Sequence, residues 1–403
     1  MRGVAARRDG AVVAPRPRPL NRDLDALPSP DYTEYFERAE RLGLIAPAQR
    51  ESTTIPFESA RGCWWGAKSH CTFCGLNGAG MPFRSKSAER VKAELREATK
   101  RYRSWRFEAV DNILDMGLLR ELLPDLIEEE TGYELFYEVK ANLTRHQLKL
   151  LADAGVRRIQ PGIESLSTPV LRLMRKGISA IQNVNTMRWA SYYGIDVQWN
   201  LLYGFPGETV DDYHQQGALI SHLRHLQPPA AVGRIWMERF SPIYTDRDAF
   251  PVRHLRPHSS YSYIHPDGLD LDRVAYFFDY EFVDGIPDEE LDVTKRLVDA
   301  WQAAWDGPAI PRLTFRAVDG FVQVHDRRDP AQPTTTTLGG CLATVFTALC
   351  DRPTTVRALT RELELASSRT RIEVVLTQLC EQGLVLQDGD FFLVLALPAN
   401  TGR

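Results

Sequence analysis

The stretch Cys63–Gly78, CWWGAKSHCTFCGLNG, places three of the six cysteines of the chain close together and follows them with glycines. Cys63, Cys71 and Cys74 have the spacing C-x7-C-x2-C. They come directly after the first run of β-type residues, and the C-terminal ends of strands are where barrel-type α/β enzymes place their sites. In a reducing compartment, clustered cysteines more often bind metal or do redox chemistry than form disulfides. These three cysteines are therefore candidate metal ligands.

The number of cysteines distinguishes between the metal centres that they could form. A [4Fe–4S] cluster held by three thiolates keeps one iron open for an additional ligand, and the glycines that follow allow the backbone to approach that ligand closely. A tetrahedral structural zinc needs a fourth ligand, which His70 could supply only with difficulty because it is adjacent to Cys71. Iron–sulfur is favoured here, and zinc and purely structural thiols stay open as alternatives.

Composition limits the class of protein. A chain of 403 residues exceeds the usual size of a single core, so one large unit and a smaller one are expected. With 43% apolar and 25% charged residues, the composition is that of an average globular protein. No apolar run is long enough for a bilayer, and the N-terminus lacks a signal pattern, which indicates a cytoplasmic protein. The net charge of −4 argues against broad nucleic-acid binding.

A regular alternation of short β-type runs and amphipathic helical stretches begins near Thr53. Six such runs occur: TTIPFESARG, FEAVDNIL, ELFYEVKAN, VRRIQPGIES, VQWNLLYGFPG and AVGRIWMERFSP. This pattern is typical of βα units around a parallel sheet. It predicts an α/β fold in which residues 51–245 form a partial (β/α)6 TIM-like barrel.

The remaining sequence divides into three regions. Residues 1–50 are interpreted as an N-terminal linker or tail, because their first half is rich in Pro and Arg. Residues 246–335 are predicted to form an irregular, aromatic-rich extension with a helix at 288–305. Residues 336–398 are predicted to form a winged-helix-like module of three short helices and a hairpin that turns at Asp388-Gly389-Asp390.

Seven motifs together resemble the radical S-adenosylmethionine (SAM) superfamily: PFESARGCWWGAKSHCTFCGLNG, FRSKSAERV, VDNILDM, LFYEVKANLT, IQPGIESLS, LMRKG and WNLLYGFPGET. The chain is more closely similar to the RiPP maturation radical SAM proteins, a C-methyltransferase-like group that modifies ribosomal precursor peptides. The resemblance implies that the three cysteines bind a [4Fe–4S] cluster and that SAM chelates its open iron. Electron transfer then splits SAM into methionine and a 5′-deoxyadenosyl radical, which abstracts hydrogen from an unactivated C–H bond.

The resemblance also implies contacts to SAM. Phe73 stands where the superfamily carries an aromatic residue beside the adenine, and residues 75–78 stand where many relatives have a Gly-Gly-Glu turn, although this chain reads Gly-Leu-Asn-Gly. Alternation along the third strand directs Glu138 and Lys140 to one face. The expected cofactor contacts are Phe73, Gly75, Asn77, Gly78, Glu138, Lys140, Glu164, Ser165 and Asn200, and no catalytic residue is assigned. For the charged strand residues the alternative is a structural ion pair.

Several further features have two interpretations. Trp64 and Trp65 either shield a radical from water or pack on the rim of the barrel. Asp212, His214 and Gly217 spell the D-x-H-x-x-G signature of cobalamin-binding loops, but they fall inside a predicted barrel helix, so the match is interpreted as coincidence. The second set of cysteines, Cys341, Cys350 and Cys380, is interpreted as buried inert thiols.

The expected function is modification of carbon centres in a ribosomally made precursor peptide, most specifically C-methylation. The alternatives are cobalamin-independent epimerisation or ring formation on a peptide, and a zinc-bearing winged-helix binding protein without catalysis. Expected partners are the precursor peptide, leader plus core, and an electron donor such as flavodoxin or ferredoxin, with no nucleic acid and no membrane. The winged-helix-like module is expected either to hold the leader by strand addition or to be structural.

Cobalamin is a separate expectation. Relatives that methylate unactivated carbon route the methyl group through methylcobalamin and carry a cobalamin domain ahead of the cysteines. Only about 60 residues precede Cys63, which is too few for such a domain, and NRDLDALPSPDYTEYF resembles the junction that normally follows it. We expect the chain to bind SAM and the cluster, and cobalamin to take part only where another chain or a missing domain supplies it.

Overall fold

The computed structural model describes residues 4–14, 19–78, 80–363 and 369–400. The N-terminal elements are β1 (Ala6–Arg8), β2 (Ala11–Val13), α1 (Thr33–Arg41) and a 3-10 helix (Pro47–Ser52). The elements of the parallel βα region are β3 (Ile55–Phe57), β4 (Ala60–Arg61), α2 (Trp64–Lys68), β5 (Arg84–Ser85), α3 (Ala88–Tyr102), β6 (Arg106–Ala109), α4 (Leu118–Glu128), β7 (Glu134–Glu138), α5 (Arg145–Asp153), β8 (Val156–Gln160), α6 (Thr168–Leu173), α7 (Ala180–Tyr192), β9 (Asp196–Val197), β10 (Asn200–Tyr203), α8 (Val210–Leu223) and β11 (Ala231–Arg234).

The C-terminal half continues with smaller sheets. Its first part comprises β12 (Met237–Glu238), α9 (Pro242–Thr245), β13 (Val252–Pro257), α10 (Tyr261–Ile264), α11 (Leu271–Val274), β14 (Phe277–Phe282), a 3-10 helix (Asp288–Leu291), α12 (Asp292–Asp306), β15 (Arg312–Val318), β16 (Phe321–Arg327) and β17 (Thr334–Gly339). Its last part comprises α13 (Cys341–Ala348), β18 (Thr354–Thr355), α14 (Val356–Glu362), α15 (Arg369–Glu381), β19 (Val385–Asp388), β20 (Phe391–Val394) and β21 (Leu397–Pro398).

The parallel sheet confirms the α/β prediction. Strands β3, β6, β7, β8 and β9 form one parallel sheet in that order, and β10 and β11 form a parallel pair. A single parallel bridge between Glu164 and Leu201 connects the two groups. Each of the six predicted runs contains at least one of these strands. Closure into a partial barrel stays a prediction, whereas the parallel order places all strand C-termini at one edge.

Apolar faces explain why these elements pack. Helix α4 buries one leucine stripe, formed by Leu118, Leu119, Leu122, Leu123 and Leu126, against the core. Strand β7 buries successive residues on both of its faces, as expected for a central strand covered by helices. Among the described residues, no helix combines the length and the apolar character that crossing a membrane requires.

The N-terminal region is more structured than the predicted linker. Residues 6–13 form a two-stranded hairpin, and α1 follows within the predicted tail. The Phe36 side chain is buried and stacks on Tyr102 of α3 with ring centroids 5.2 Å apart. The prediction relied on the Pro- and Arg-rich first half, while a short apolar stripe in the second half packs on the βα region.

The region 246–335 is also more regular than predicted. Its strands β13 and β14 form an antiparallel sheet with the preceding β12, and β17, β16 and β15 form a second sheet that β21 joins. The helix predicted at 288–305 is confirmed as a 3-10 turn followed by α12. The strands escaped prediction because β17 consists largely of threonines and only one of its side chains, Leu338, is buried.

The last region contains the predicted elements. Helices α13, α14 and α15 accompany a three-stranded sheet of order β18-β20-β19. Asp388 pairs with Phe391, so the predicted hairpin is confirmed, with Gly389 and Asp390 at the turn. Residues 364–368 lie outside the described residues. The name winged-helix stays a prediction, and we call residues 341–396 the C-terminal module.

One buried arginine attaches the C-terminal module to the parallel βα region. The Arg188 side chain on α7 is fully buried, and its guanidinium donates to the carbonyls of Cys350, Leu395 and Ala396 at 2.9–3.2 Å. Burial lowers the pKa of Arg188 to about 10. The neighbouring Trp189 indole donates to the Asp351 carbonyl at 2.9 Å. Carbonyl dipoles, in place of a carboxylate, balance this buried charge.

The replacement Arg188→Leu removes the guanidinium donor from three carbonyls, of which Leu395 keeps the His225 ring as a partner, so we expect it to lower the free energy of unfolding by about 3 kcal/mol. It should also make the C-terminal module sensitive to protease. Urea unfolding and limited proteolysis measure the two effects. Arg316→Leu, at an exposed position of β15, is the control. Equal unfolding free energies and equal protease resistance for the two variants would show that Arg188 does not hold the module.

Candidate active site

The cysteine loop begins at the N-terminus of α2. Cys63 is the N-cap of this five-residue helix, and its sulfur accepts a hydrogen bond from the Gly66 amide at 3.2 Å. The Cys63 amide donates to the Met81 carbonyl at 3.2 Å, and the Cys74 amide donates to the Cys71 carbonyl at 3.2 Å. The first cysteine is thus fixed by a helix start, and the other two by a tight turn.

The turn that carries Cys71 and Cys74 is anchored to the LMRKG motif. The Thr72 amide donates to the Met174 carbonyl at 3.0 Å, and its hydroxyl donates to the Leu173 carbonyl at 3.1 Å. Thr72 is almost fully buried. Two motifs that lie about 100 residues apart in the sequence therefore form one structural unit.

The paired tryptophans pack on the rim. The Trp64 indole donates to the Leu114 carbonyl at 3.0 Å, and the Trp65 indole donates to the Arg175 carbonyl at 3.2 Å. A Cβ added to Gly177 would lie 2.1 Å from the Trp65 ring, so a glycine is needed there for the close contact. The indoles thus support the rim-packing interpretation, and both also cover the loop.

The thiols fit a metal centre. All three are free and half-buried, and burial raises the pKa of Cys74 to about 12 and also raises the pKa of Cys71. Lys176 opposes this shift at Cys71. Bound iron would replace the thiol protons and remove the cost of burying a thiolate.

A zinc site with His70 is disfavoured. The His70 Nε2 atom lies 2.7 Å from the Cys74 carbonyl, which can only accept, so Nε2 carries the proton and faces backbone. Among the described residues, no three His, Cys, Asp or Glu side chains are arranged to hold a single metal ion. In a cluster each thiolate binds its own iron, so that requirement does not apply.

A charged network surrounds the thiols. Lys176 lies 3.4 Å from Glu164, and Lys140 donates to the Lys176 carbonyl while its ammonium lies 3.5 Å from the Trp65 ring centroid. Burial lowers the pKa of Lys140 to about 8. At Lys176 burial opposes the charge, but Glu164 and the Cys71 thiol outweigh it and raise the pKa. Glu164 therefore forms the ion pair that was the alternative interpretation.

The backbone at Glu164 has an unusual conformation. Its φ is +58°, in the left-handed region that non-glycine residues rarely adopt. The parallel bridge to Leu201 and the ion pair to Lys176 hold it there. A Cβ at Gly162, two residues before Glu164 and with a φ of +54°, would lie 2.8 Å from the Lys176 ammonium. Strained backbone of this kind concentrates at functional sites.

Glu138 has no hydrogen-bond donor among the described residues, although most of its carboxyl surface is buried. Burial, followed by repulsion from Glu164, raises the pKa of Glu138 to about 7. It lies at the end of β7, at the same edge of the sheet as the cysteine loop. A buried acceptor without a donor favours a ligand that brings hydroxyl or ammonium groups.

The Gly75–Gly78 turn packs against residues that the sequence patterns did not indicate. The Gly75 amide donates to a Glu238 carboxylate oxygen at 2.5 Å, and the Tyr276 hydroxyl lies 3.4 Å from the same oxygen. A Cβ at Gly78 would lie 2.2 Å from the Phe240 ring. The space beside Gly75 and Gly78 is thus occupied by the side chains of Glu238 and Phe240, whereas SAM was expected there. Glu238 and Phe240 alternate within the sixth β-type run, which is the only signal for them.

Two other predicted contacts lie in the same loop. The Phe73 ring meets Phe205 edge-on at 5.7 Å between centroids, and the Lys176 ammonium lies 5.8 Å from the Phe73 ring centroid. The Asn77 side-chain oxygen accepts a hydrogen bond from the side-chain amide of Asn112 at 3.1 Å. Phe73 therefore lies next to the charged network, and Asn77 lies next to the segment that follows β6.

The last two predicted contacts, Ser165 and Asn200, have different environments. Ser165 is fully buried, and its hydroxyl donates to Gln216 of α8 at 2.9 Å and accepts from the Ser167 amide at 3.1 Å, so it has a structural role. Asn200 is exposed and is the first residue of β10. Its neighbour Leu201 forms the parallel bridge to Glu164, so Asn200 lies close to the charged network and stays a predicted contact.

The discounted motifs remain outside the site. Asp212 caps α8 by accepting from the Thr209 amide at 2.9 Å, and His214 is exposed on the same helix. This supports the interpretation of D-x-H-x-x-G as coincidence. Burial raises the pKa of Cys350 to about 12, and its thiol donates to the Phe346 carbonyl at 3.3 Å.

Comparison with known proteins identifies the class of domain. Residues 57–215 match the Radical SAM superfamily, which confirms a radical SAM domain over this range. The range contains the cysteine loop, the charged network, four of the six β-type runs and the second half of the first run. A domain of this superfamily uses a [4Fe–4S] cluster and SAM. The superfamily match favours an enzyme over the alternative of a binding protein without catalysis.

Three similar proteins give more detail. An uncharacterized methyltransferase of Pyrococcus horikoshii is 24% identical over 217 residues, which are 52% of this chain and 44% of that protein. The ribosomal protein uS12 methylthiotransferase RimO of Elusimicrobium minutum is 23% identical over 210 residues, 49% of this chain and 46% of that protein. The cobalamin-dependent SAM radical enzyme OxsB shares the fold with a TM-score of 0.53 and 16% identity over 75% of this chain and 46% of that chain. The chain thus spans less than half the length of each.

Replacing any one of Cys63, Cys71 and Cys74 by alanine should abolish cluster assembly, because three thiolates are the minimum that holds three irons and leaves one open. The measurement is iron and sulfide content after anaerobic reconstitution. The matched controls replace the other three cysteines, Cys341→Ala, Cys350→Ala and Cys380→Ala, and these should retain the cluster. A full iron content in any of the first three variants contradicts the assignment.

Gly177→Ala should destabilise the cysteine loop through its contact with Trp65. Gly194→Ala is the control, since both glycines have positive φ, +61° and +71°, but a Cβ meets nothing within 4 Å at Gly194. Both variants should lose about 1 kcal/mol of unfolding free energy from backbone strain. Only Gly177→Ala must also displace the indole, so it alone should lower the iron content after reconstitution. Equal iron contents would refute this role of Gly177.

Proposed function

We propose that this chain is a radical SAM enzyme that methylates a carbon centre in a ribosomally made precursor peptide, as a step of RiPP maturation. Cys63, Cys71 and Cys74 hold the cluster. The observation that carries the proposal is the placement of these thiols, within a domain that matches the superfamily, beside the cationic network and the unpartnered Glu138 carboxyl. The cytoplasmic location stays part of the proposal.

The residues around the thiols divide the work of binding. When bound, the cluster supplies the electron that reductive cleavage of SAM requires. Lys176 and Lys140 place positive charge beside Cys71, which favours thiolates over thiols. The Glu138 carboxyl accepts hydrogen bonds from hydroxyl or ammonium groups of SAM. Trp64 and Trp65 cover the loop and limit the access of water to it.

Methylation is supported by the name of the Pyrococcus relative, which is a methyltransferase. The likeness to OxsB supports the fold alone. The peptide substrate rests on the motif resemblance to the RiPP maturation group. We further propose that flavodoxin or ferredoxin supplies the electron, and that the C-terminal module takes part in holding the leader of the peptide. Of the other reactions, cobalamin-independent epimerisation and ring formation need the same thiols and the same SAM site.

The proposal is tested with SAM that carries a trideuteromethyl group, a chemical reductant, cobalamin without a methyl group (hydroxocobalamin), and the peptides encoded beside the gene. We expect 5′-deoxyadenosine and a peptide that gains one trideuteromethyl group, with Cys71→Ala inactive in both assays. Glu138→Gln keeps the shape but accepts fewer hydrogen bonds. It should therefore weaken SAM binding while it retains the cluster.

The outcomes separate the alternatives. Deuterium from D2O at an α-carbon without a methyl group indicates epimerisation, and loss of two hydrogens from the peptide indicates ring formation. Either result would replace methylation while keeping the radical SAM assignment. A reconstituted protein that forms no 5′-deoxyadenosine with any of these peptides would contradict the enzyme proposal.

A further inference from the structure

A large groove separates the parallel βα region from the C-terminal module. It has a volume of about 1030 Å³, at the upper end of the range for ligand sites. One wall is formed by α5, α6 and α7, and the other by the segment before β18 and the start of β20. We call it the inter-module groove and define it by Leu143, Arg145, Arg172, Ile178, Arg352 and Phe391.

The charge on this groove is mainly positive. Four cationic side chains, Arg145, Lys149, Arg172 and Arg352, line it together with a single carboxylate, Asp351. Arg145 lies 3.3 Å from Asp351. Arg172 and Arg352 are exposed and have no ion-pair partner within the described ranges. The groove therefore carries unpaired positive charge, although the net charge of the whole chain is −4.

The charged side chains are interleaved with apolar ones. The accessible apolar surface comes from Phe391, which is 46% exposed, and from the partly exposed Tyr192 and Tyr193, while Leu143 and Ile178 form a buried floor. An apolar lining favours a ligand with apolar side chains that can be buried on it. The phosphate backbone of a nucleic acid has no such side chains. This mixture fits an acidic peptide that also carries apolar residues better than it fits a nucleic acid.

The inner end of the groove reaches the active-site rim. Gly177 lines the groove, and the Trp65 ring packs directly on it. The same ring lies 3.5 Å from the Lys140 ammonium, within the network beside the thiols. A chain lying in the groove would therefore enter the site past Trp65.

The outer end continues onto the C-terminal module. A second cavity of about 360 Å³ shares Arg352, Pro353 and Phe391 with the groove and extends to Arg361. Thr354 and Thr355 of β18 line this cavity. In the described sheet, β18 is an edge strand that pairs only with β20. An unpaired edge offers backbone groups to an extended chain.

We infer that the inter-module groove binds an extended, acidic segment of the substrate peptide and leads its downstream part to the active site. This inference rests on the proposed function for the identity of the substrate as a peptide. Acidic side chains pair with Arg172 and Arg352, and apolar side chains pack on Tyr193 and Phe391. The β18 edge holds the upstream end of the segment.

Binding is measured by fluorescence anisotropy with the full chain carrying its reconstituted cluster. The probes are three labelled molecules: a short peptide of alternating leucine and glutamate, its leucine–lysine counterpart, and a single-stranded RNA. We expect the glutamate peptide to bind best, and its affinity to fall as ionic strength rises. The double variant Arg172→Glu/Arg352→Glu should weaken its binding at least about tenfold.

The matched control is Arg120→Glu/Arg316→Glu, which makes the same change in net charge at exposed positions of α4 and β15 outside the groove. This control should bind the glutamate peptide as the unmodified chain does. Thermal unfolding and iron content of both double variants verify that the fold and the cluster are retained.

The inference is overturned if no acidic peptide binds, if the lysine peptide or the RNA binds more tightly, or if both double variants bind alike. Its failure differs from failure of the proposed function. If peptides encoded beside the gene are methylated equally by both double variants, the groove inference fails and the proposed function stands. If the glutamate peptide binds through Arg172 and Arg352 but no peptide is ever modified, the groove stands and the proposed function fails.

Discussion

The two hydrogen bonds from Thr72 to the carbonyls of Leu173 and Met174 are the contact on which the rest of the site depends. The cysteine loop has only one five-residue helix of its own, so it cannot hold three thiols in place by local structure. Its shape is set by the C-terminal end of α6 and the residues after it, whose carbonyls accept hydrogen bonds from both Thr72 and Trp65. The glycine at position 177 is required because the indole occupies the space that a side chain would need.

The same segment brings Lys176 to the thiols, which explains how so many buried charges coexist. Lys176 pairs with Glu164 and also faces Cys71, while Lys140 uses the carbonyl of Lys176 and the ring of Trp65. Each charge is thus compensated by a neighbour, as buried ions must be. The strained backbone at Glu164 is held by this network and by the bridge to Leu201. Glu138 is the exception, because burial and Glu164 raise its pKa and no described side chain donates a hydrogen bond to it.

The C-terminal module contributes through its position. Arg188 ties it to α7 through three carbonyls, and this docking creates the groove whose inner end meets Trp65. Neither wall alone combines positive charge with apolar surface, since the cationic α5–α7 face and the exposed Phe391 belong to different parts of the chain. The geometry of the groove is therefore a consequence of one buried, hydrogen-bonded cation.

The candidate cysteine ligands, the parallel βα order and the terminal hairpin could be predicted from the sequence, because spacing, periodicity and turn residues are local properties of the chain. The set of side chains that meet at the site could not, because it depends on tertiary packing. Lys176 and Glu238 joined it, although Glu238 lies far along the chain from the Gly75 amide that it accepts from. Ser165 has a structural role, since its buried hydroxyl donates to Gln216, whereas Asn200 stays beside the Leu201 bridge to Glu164. The strand on which a residue lies can be inferred from the sequence pattern. The partner that its side chain contacts depends on how distant segments pack.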